Sequence, residues 1–155
     1  KPAPVAICAP RSPEGLLAII IARGVETNPD YQPRTALTWC NKYVRDLLKD
    51  LEVPFPVDTW FAHQQIDYLA SEKGVAAGWF ECAVVKGVDC AGKGQPVVVG
   101  WRNPVEPPKG HSHIALLVPS TNETPRITQA GVRNFADAPL ERGFGKLPVR
   151  FFRHA

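Results

Sequence analysis

The spacing of apolar residues changes period at Gly74, and this change restricts the fold more than any other feature of the chain. Before it, apolar residues recur at i, i+3, i+4 and i+7; after it they fall in short β-branched runs separated by Gly and Pro. The first helical segment is Glu14 to Arg23, almost wholly apolar and closed by Gly24. The second starts near Cys40 and sets Tyr43, Val44, Leu47, Leu48 and Leu51 on one face, with Thr38 as N-cap and Pro54 as the stop. A third runs from a cap at Asp58 or Thr59 through Ile66 and Leu69 to Gly74. Val97 to Trp101, His113 to Val118, Arg126 to Ala130 and Val149 to Phe152 then read as strands. Helices first and strands second predict an α+β domain, with N-terminal helices packed on an antiparallel β-sheet of about four to six strands. In Val75 to Gln95 the signals conflict. Trp79 and Phe80 are suited to the core and Ala83 to Ala91 to a helix, but Gly87, Gly92 and Gly94 oppose it.

A sequence of 155 residues, 45% hydrophobic and 21% charged, suits one compact domain, with residues 1–33 as an arm and short helix on a main unit spanning 34–155. The sixteen prolines lie between apolar runs and punctuate loops. The longest unbroken apolar run, Leu16 to Ala22, is far below the ~18 residues that span a bilayer, so no membrane span is expected. A net charge of +3 with scattered lysines and arginines speaks against nucleic acid as a partner and permits a mild attraction to anionic surfaces such as a bacterial wall. The sequence begins at Lys1 and holds no methionine, which predicts a removed leader or a longer parent chain. Cys8, Cys40, Cys82 and Cys90 include no C-x-x-C pair, so structural zinc is not expected. Cys82 and Cys90 are spaced either to bridge a short loop or to serve as two small buried hydrophobes.

Cys40 stands apart because it opens an amphipathic helix, where the positive end of the dipole favours thiolate over thiol. On the packing stripe alone it would be a core residue. Its position in the first turn, between Trp39 and Asn41, favours chemistry instead. Acyl chemistry by a thiol also needs an imidazole to carry the proton and a polar group to orient that imidazole. His111 and His113 alternate in Gly110-His111-Ser112-His113 and project to one side of an extended chain. Either is placed to be the base; His113 is favoured because it leads into an apolar, central strand and shares a face with Ala115 and Leu117. An H-x-H pair also suits a metal, but no third ligand lies close in sequence and no metal or other cofactor is expected. Gln129 on the following strand is the candidate orienting residue, with Asn134 and Asp137 in reserve. His63 and His154 read as a helix-surface and a terminal residue. Among Trp39, Trp60, Trp79 and Trp101, Trp39 and Trp101 are expected to line a substrate cleft, together with Asn41.

Thr38-Trp39-Cys40-Asn41-Lys42-Tyr43-Val44 resembles the helix-borne cysteine segment of the NlpC-type papain-like cell-wall cysteine peptidases, a superfamily that includes CHAP amidases and type VI secretion amidase effectors. Gly110 to Val118 is similar to that family's Gly-His strand, and Thr128-Gln129-Ala130-Gly131 stands where the family carries its third polar residue. The resemblance covers roughly residues 34 to 153, in the unpermuted order cysteine, histidine, polar residue. It implies a papain-like core, no metal, and a catalytic set of Cys40, His113 and Gln129, with His111 as alternative base. It further implies a hydrolase of peptidoglycan stem-peptide amide bonds working through a thioester. Such an enzyme is secreted, periplasmic or phage-borne like an endolysin, with peptidoglycan and, for an effector, a cognate inhibitor protein as partners. The competing expectations are a thiol acyl-transferase or protein-directed peptidase on the same scaffold, and a wall-binding module without catalysis.

Overall fold

The Ser12 hydroxyl accepts the Gly15 amide at 3.0 Å and Pro13 supplies a preset φ, so helix α1 spans Pro13–Arg23 and ends at Gly24 in the left-handed conformation. The computed structural model describes residues 11–35, 37–56, 61–107, 109–120 and 122–155. Cys8, Trp60, the Asp58 or Thr59 cap and most of the N-terminal arm lie outside these residues. A single 3-10 turn, Pro29–Tyr31, leads to α2, Cys40–Asp50, which buries Cys40, Tyr43, Val44, Leu47 and Leu48 as the stripe predicts. Trp39, not Thr38, occupies the cap position of α2 and makes no side-chain cap bond. The helix stops before Pro54 is reached. The amide of Glu52 bonds the Lys49 carbonyl and that of Val53 the Leu48 carbonyl, with Glu52 at φ 56°, which is a Schellman closure.

The helix expected up to Gly74 is two helices, α3 (Ala62–Leu69) and α4 (Glu72–Ala76). Ser71 separates them because its hydroxyl accepts the Gly74 amide and caps a new first turn. The unreadable stretch holds β1 (Trp79–Cys82) and α5 (Val84–Gly92). Then follow β2 (Val97–Trp101), β3 (His113–Leu117), β4 (Arg126–Gln129), β5 (Phe135–Pro139), α6 (Leu140–Phe144) and β6 (Arg150–His154). The strands form one six-stranded sheet in the order β1-β6-β2-β3-β4-β5, and every neighbouring pair is antiparallel. The fold is α+β, with helices packed on an antiparallel sheet.

Strand β3 is interior, and its alternation feeds two apolar layers. Ile114 and Leu116 face Leu16, Ile20, Tyr43, Leu47 and Ile66 from α1, α2 and α3. Ala115 and Leu117 face Cys90 and Ala91 of α5 and Phe144 of α6. Helices therefore cover both sides of the sheet. Gly100 of β2 lets α3 approach closely, since a Cβ there would lie 2.8 Å from the Ile66 side chain. Trp79 is fully buried and donates to the Pro54 carbonyl, whereas Phe80 is partly exposed beneath Arg153. Cys82 and Cys90 both join the second layer as free thiols. No helix among the described residues is long and apolar enough to cross a membrane.

Candidate active site

The N-terminus of α2 and the start of β3 meet at a cleft of about 940 Å³. Cys40, His113 and Gln129 all line it, as do Trp39, Asn41 and His111. Trp101 does not. It pairs with His113 across the β2/β3 register and packs on the second apolar layer. The expected cleft role for Trp101 thus gives way to core packing, because its strand runs directly beneath the α5 and α6 side of the sheet.

One amide fixes the histidine. Gln129 Nε2 donates to the Arg133 carbonyl at 2.9 Å, which turns Gln129 Oε1 toward His113 Nε2 at 2.8 Å. A carbonyl oxygen only accepts, so the proton sits on Nε2 and the lone pair on Nδ1. The ring also packs on Phe144 at 4.7 Å between centroids. Burial holds the His113 imidazole below its ordinary pKa, with the Gln129 bond opposing, so it is neutral and able to accept a proton. Two glycines make room for this arrangement: a Cβ on Gly143 would overlap Gln129 Oε1, and one on Gly131 would press on Gln129 Nε2. His111 differs in every respect that matters for a base. It is exposed, and its ring makes no hydrogen bond with the described residues.

Burial pushes the Cys40 thiol up, against an opposing downward pull from the backbone of Ile114, Asn41 and Cys40 itself and from the Thr38 side chain. Burial wins and the net shift is upward, contrary to a thiolate stabilised by the helix dipole alone. Thr38 therefore serves the thiol and not the helix cap. Trp39 makes no cap bond, so its side chain satisfies none of the first-turn amides of α2. Gln65, fully buried on α3, donates to the Asn41 carbonyl at 3.1 Å and ties this turn down. Trp39 is held by its own Nε1 donating to the Gln32 carbonyl.

Neither reserve takes the place of Gln129, although Asn134 Oδ1 accepts the amide of cleft-lining Gly131 at 3.0 Å. Asn134 bonds the Val25 and Tyr31 carbonyls, and Asp137 pairs with Arg126 at the surface. Two other histidines depart from their sequence reading. His154 is buried, bonded to the Ala77 carbonyl and Arg11, and set edge-on to Trp79. His63 lines the cleft and stacks on Phe61, near Glu106. Arg34, Arg133, Arg142 and Gly143 also line the cleft without a sequence signal, since each stands in a loop or short helix where type alone carries no periodicity. Among the described residues no three His, Cys, Asp or Glu side chains converge as a metal site, so His111 and His113 have no third ligand there. No protein-family model matches the sequence, and a search of curated proteins finds no match.

Proposed function

We propose that this protein is a papain-like cysteine peptidase or amidase that hydrolyses amide bonds of bacterial peptidoglycan stem peptides. The observation that carries the reading is the His113–Gln129 pair, whose polarity leaves Nδ1 as acceptor in the same cleft as the Cys40 thiol. As substrate enters, the Cys40 proton passes to His113 Nδ1 while sulfur bonds the acyl carbon. The amides of the first turn of α2 receive the charge on the carbonyl oxygen. The C–N bond then breaks, and the proton on Nδ1 goes to the departing amine. Water next gives a proton to Nδ1 and its hydroxide to the thioester, and sulfur leaves and recovers its proton. Gln129 orients the ring in both halves and stabilises the imidazolium less than a carboxylate would.

The wall as substrate rests on the resemblance of the cysteine and histidine segments and on the mild positive charge. It entails action in a compartment that meets the wall, secreted, periplasmic or phage-delivered, and a cognate inhibitor where the host must be spared. Digestion of purified sacculi tests it. Wild type releases soluble muropeptides and new amino groups, and Cys40→Ala releases neither while still sedimenting with the wall. Hydrolysis of protein substrates with no muropeptide release would move the activity to a protein-directed peptidase or acyl-transferase. Undiminished release by Cys40→Ala would leave a role in wall binding alone for this cleft.

A further inference from the structure

Arginines are used in two distinct ways in this molecule. Arg23, Arg102, Arg126 and Arg150 pair with Asp50, Asp67, Asp137 and Glu81 away from the thiol. Arg34, Arg133 and Arg142 line the cleft, are exposed, and pair with no carboxylate among the described residues. Arg142 lies over the Phe135 ring and stays free to bond a ligand. Among the described residues, no Asp or Glu lines the cleft. Glu106, 4.0 Å from His63 at the cleft edge, is itself taken by Arg102 at 3.0 Å.

Three arginines that line the cleft of the thiol and pair with no carboxylate among the described residues leave a positive field that a ligand can neutralise. The planar fork of each matches a carboxylate with two parallel hydrogen bonds. They come from separate segments: Arg34 follows the Tyr31 turn ahead of α2, whereas Arg133 and Arg142 belong to the β4–β5 loop and α6. Exposed apolar side chains also line the cleft, Leu37 at 54% and Val132 at 84%.

The geometry points to a substrate with free carboxylates flanking the scissile amide, read by Arg34, Arg133 and Arg142. This rests on the proposed hydrolase activity for its reaction, but the charge selection is a property of the cleft itself. Substrates whose flanking carboxylates are amidated bind worse, and the loss lies in KM while kcat is kept.

Two measurements separate this inference from the activity it builds on. The first compares alkylation of Cys40 by anionic iodoacetate and neutral iodoacetamide, in wild type and in the triple variant Arg34→Gln, Arg133→Gln, Arg142→Gln. The iodoacetate-to-iodoacetamide rate ratio should fall about fivefold or more in the variant at low ionic strength, and the difference should shrink in 0.5 M salt as screening sets in. The iodoacetamide rate alone should stay within about twofold, reporting an intact thiol. An unchanged ratio overturns the inference, whatever the enzyme does to sacculi. The second uses stem peptides with free or amidated carboxylates. Wild type should show at least a tenfold higher KM for the amidated peptide, and the triple variant should treat the two alike. Equal KM values in wild type also overturn it. A wild type that turns over neither peptide and releases nothing from sacculi, yet shows the altered alkylation ratio, removes the hydrolase reading and leaves the anion-selective cleft standing.

Discussion

Gln129 uses one amide for two bonds, and the direction of both follows from the carbonyl of Arg133, which only accepts. Gln129→Ala should therefore lose a large part of the ~10²–10⁴-fold that positioned acid–base catalysis supplies, with little change in KM. Gln129→Asn, one methylene shorter, should recover little; steady-state kinetics on a soluble stem peptide check both. The thiol makes a different prediction. Burial raises Cys40 and lowers His113, so at neutral pH the pair is thiol and imidazole, not thiolate and imidazolium. Alkylation of Cys40 by iodoacetamide should accelerate steadily as pH rises through the ordinary thiol range. A rate plateau reaching into acid would mean a preformed ion pair instead. Sequence reasoning singles out Cys40, His113 and Gln129, which share the cleft, because each stands on a periodic element whose faces can be counted. It expected a lowered thiol pKa because helix position is visible in a sequence, whereas the depth of burial that reverses the shift is not.

At the level of elements, α2 and α6 carry the site, and small residues decide how well. Gly143 of α6 gives Gln129 its space, so Gly143→Ala should push the amide off His113 and cut activity toward that of Gln129→Ala. The melting temperature should fall as well, because the same Cβ would press on the Ile127 side chain in the second apolar layer. Glu52 closes α2 at φ 56°, a conformation that costs a side-chain-bearing residue about 1 kcal/mol or more. Glu52→Gly should stabilise the protein by about that amount in denaturant unfolding, with activity unchanged. Neither feature was legible beforehand. A Schellman closure is signalled by Gly, so a Glu in its place hid the end of α2 behind Pro54. The two missed strands are the sheet edges, β1 and β5, where few residues are buried and Asp137 and Pro139 break the strand pattern. The helix break at Ser71 needed only a hydroxyl at the right residue.

For the whole molecule, the change of period at Gly74 correctly separated most helices from most strands, yet α5 and α6 lie beyond it and cover the second face of the sheet. That second layer is what packs His113 against Phe144 and so ties the candidate site to the fold. It also gives the stability a pH dependence. His113 and His154 both have imidazoles held below the ordinary value of 6.5, mainly by burial. Below 6.5 the unfolded chain takes up protons that the folded one refuses, so this part of the stability is present above 6.5 and is lost as pH falls toward the folded values. Thermal unfolding should show a melting temperature that declines between pH 7 and pH 5, and a flat profile over that interval would contradict the burial of both rings. The central claim is that Cys40 carries the acyl group during turnover. Intact-mass analysis of wild type, acid-quenched during turnover of a stem peptide, tests it most directly. The account predicts an adduct of the acyl fragment mapped to Cys40, absent from Cys40→Ala and much reduced in His113→Ala but not in His111→Ala; peptide hydrolysis that persists in Cys40→Ala would contradict it.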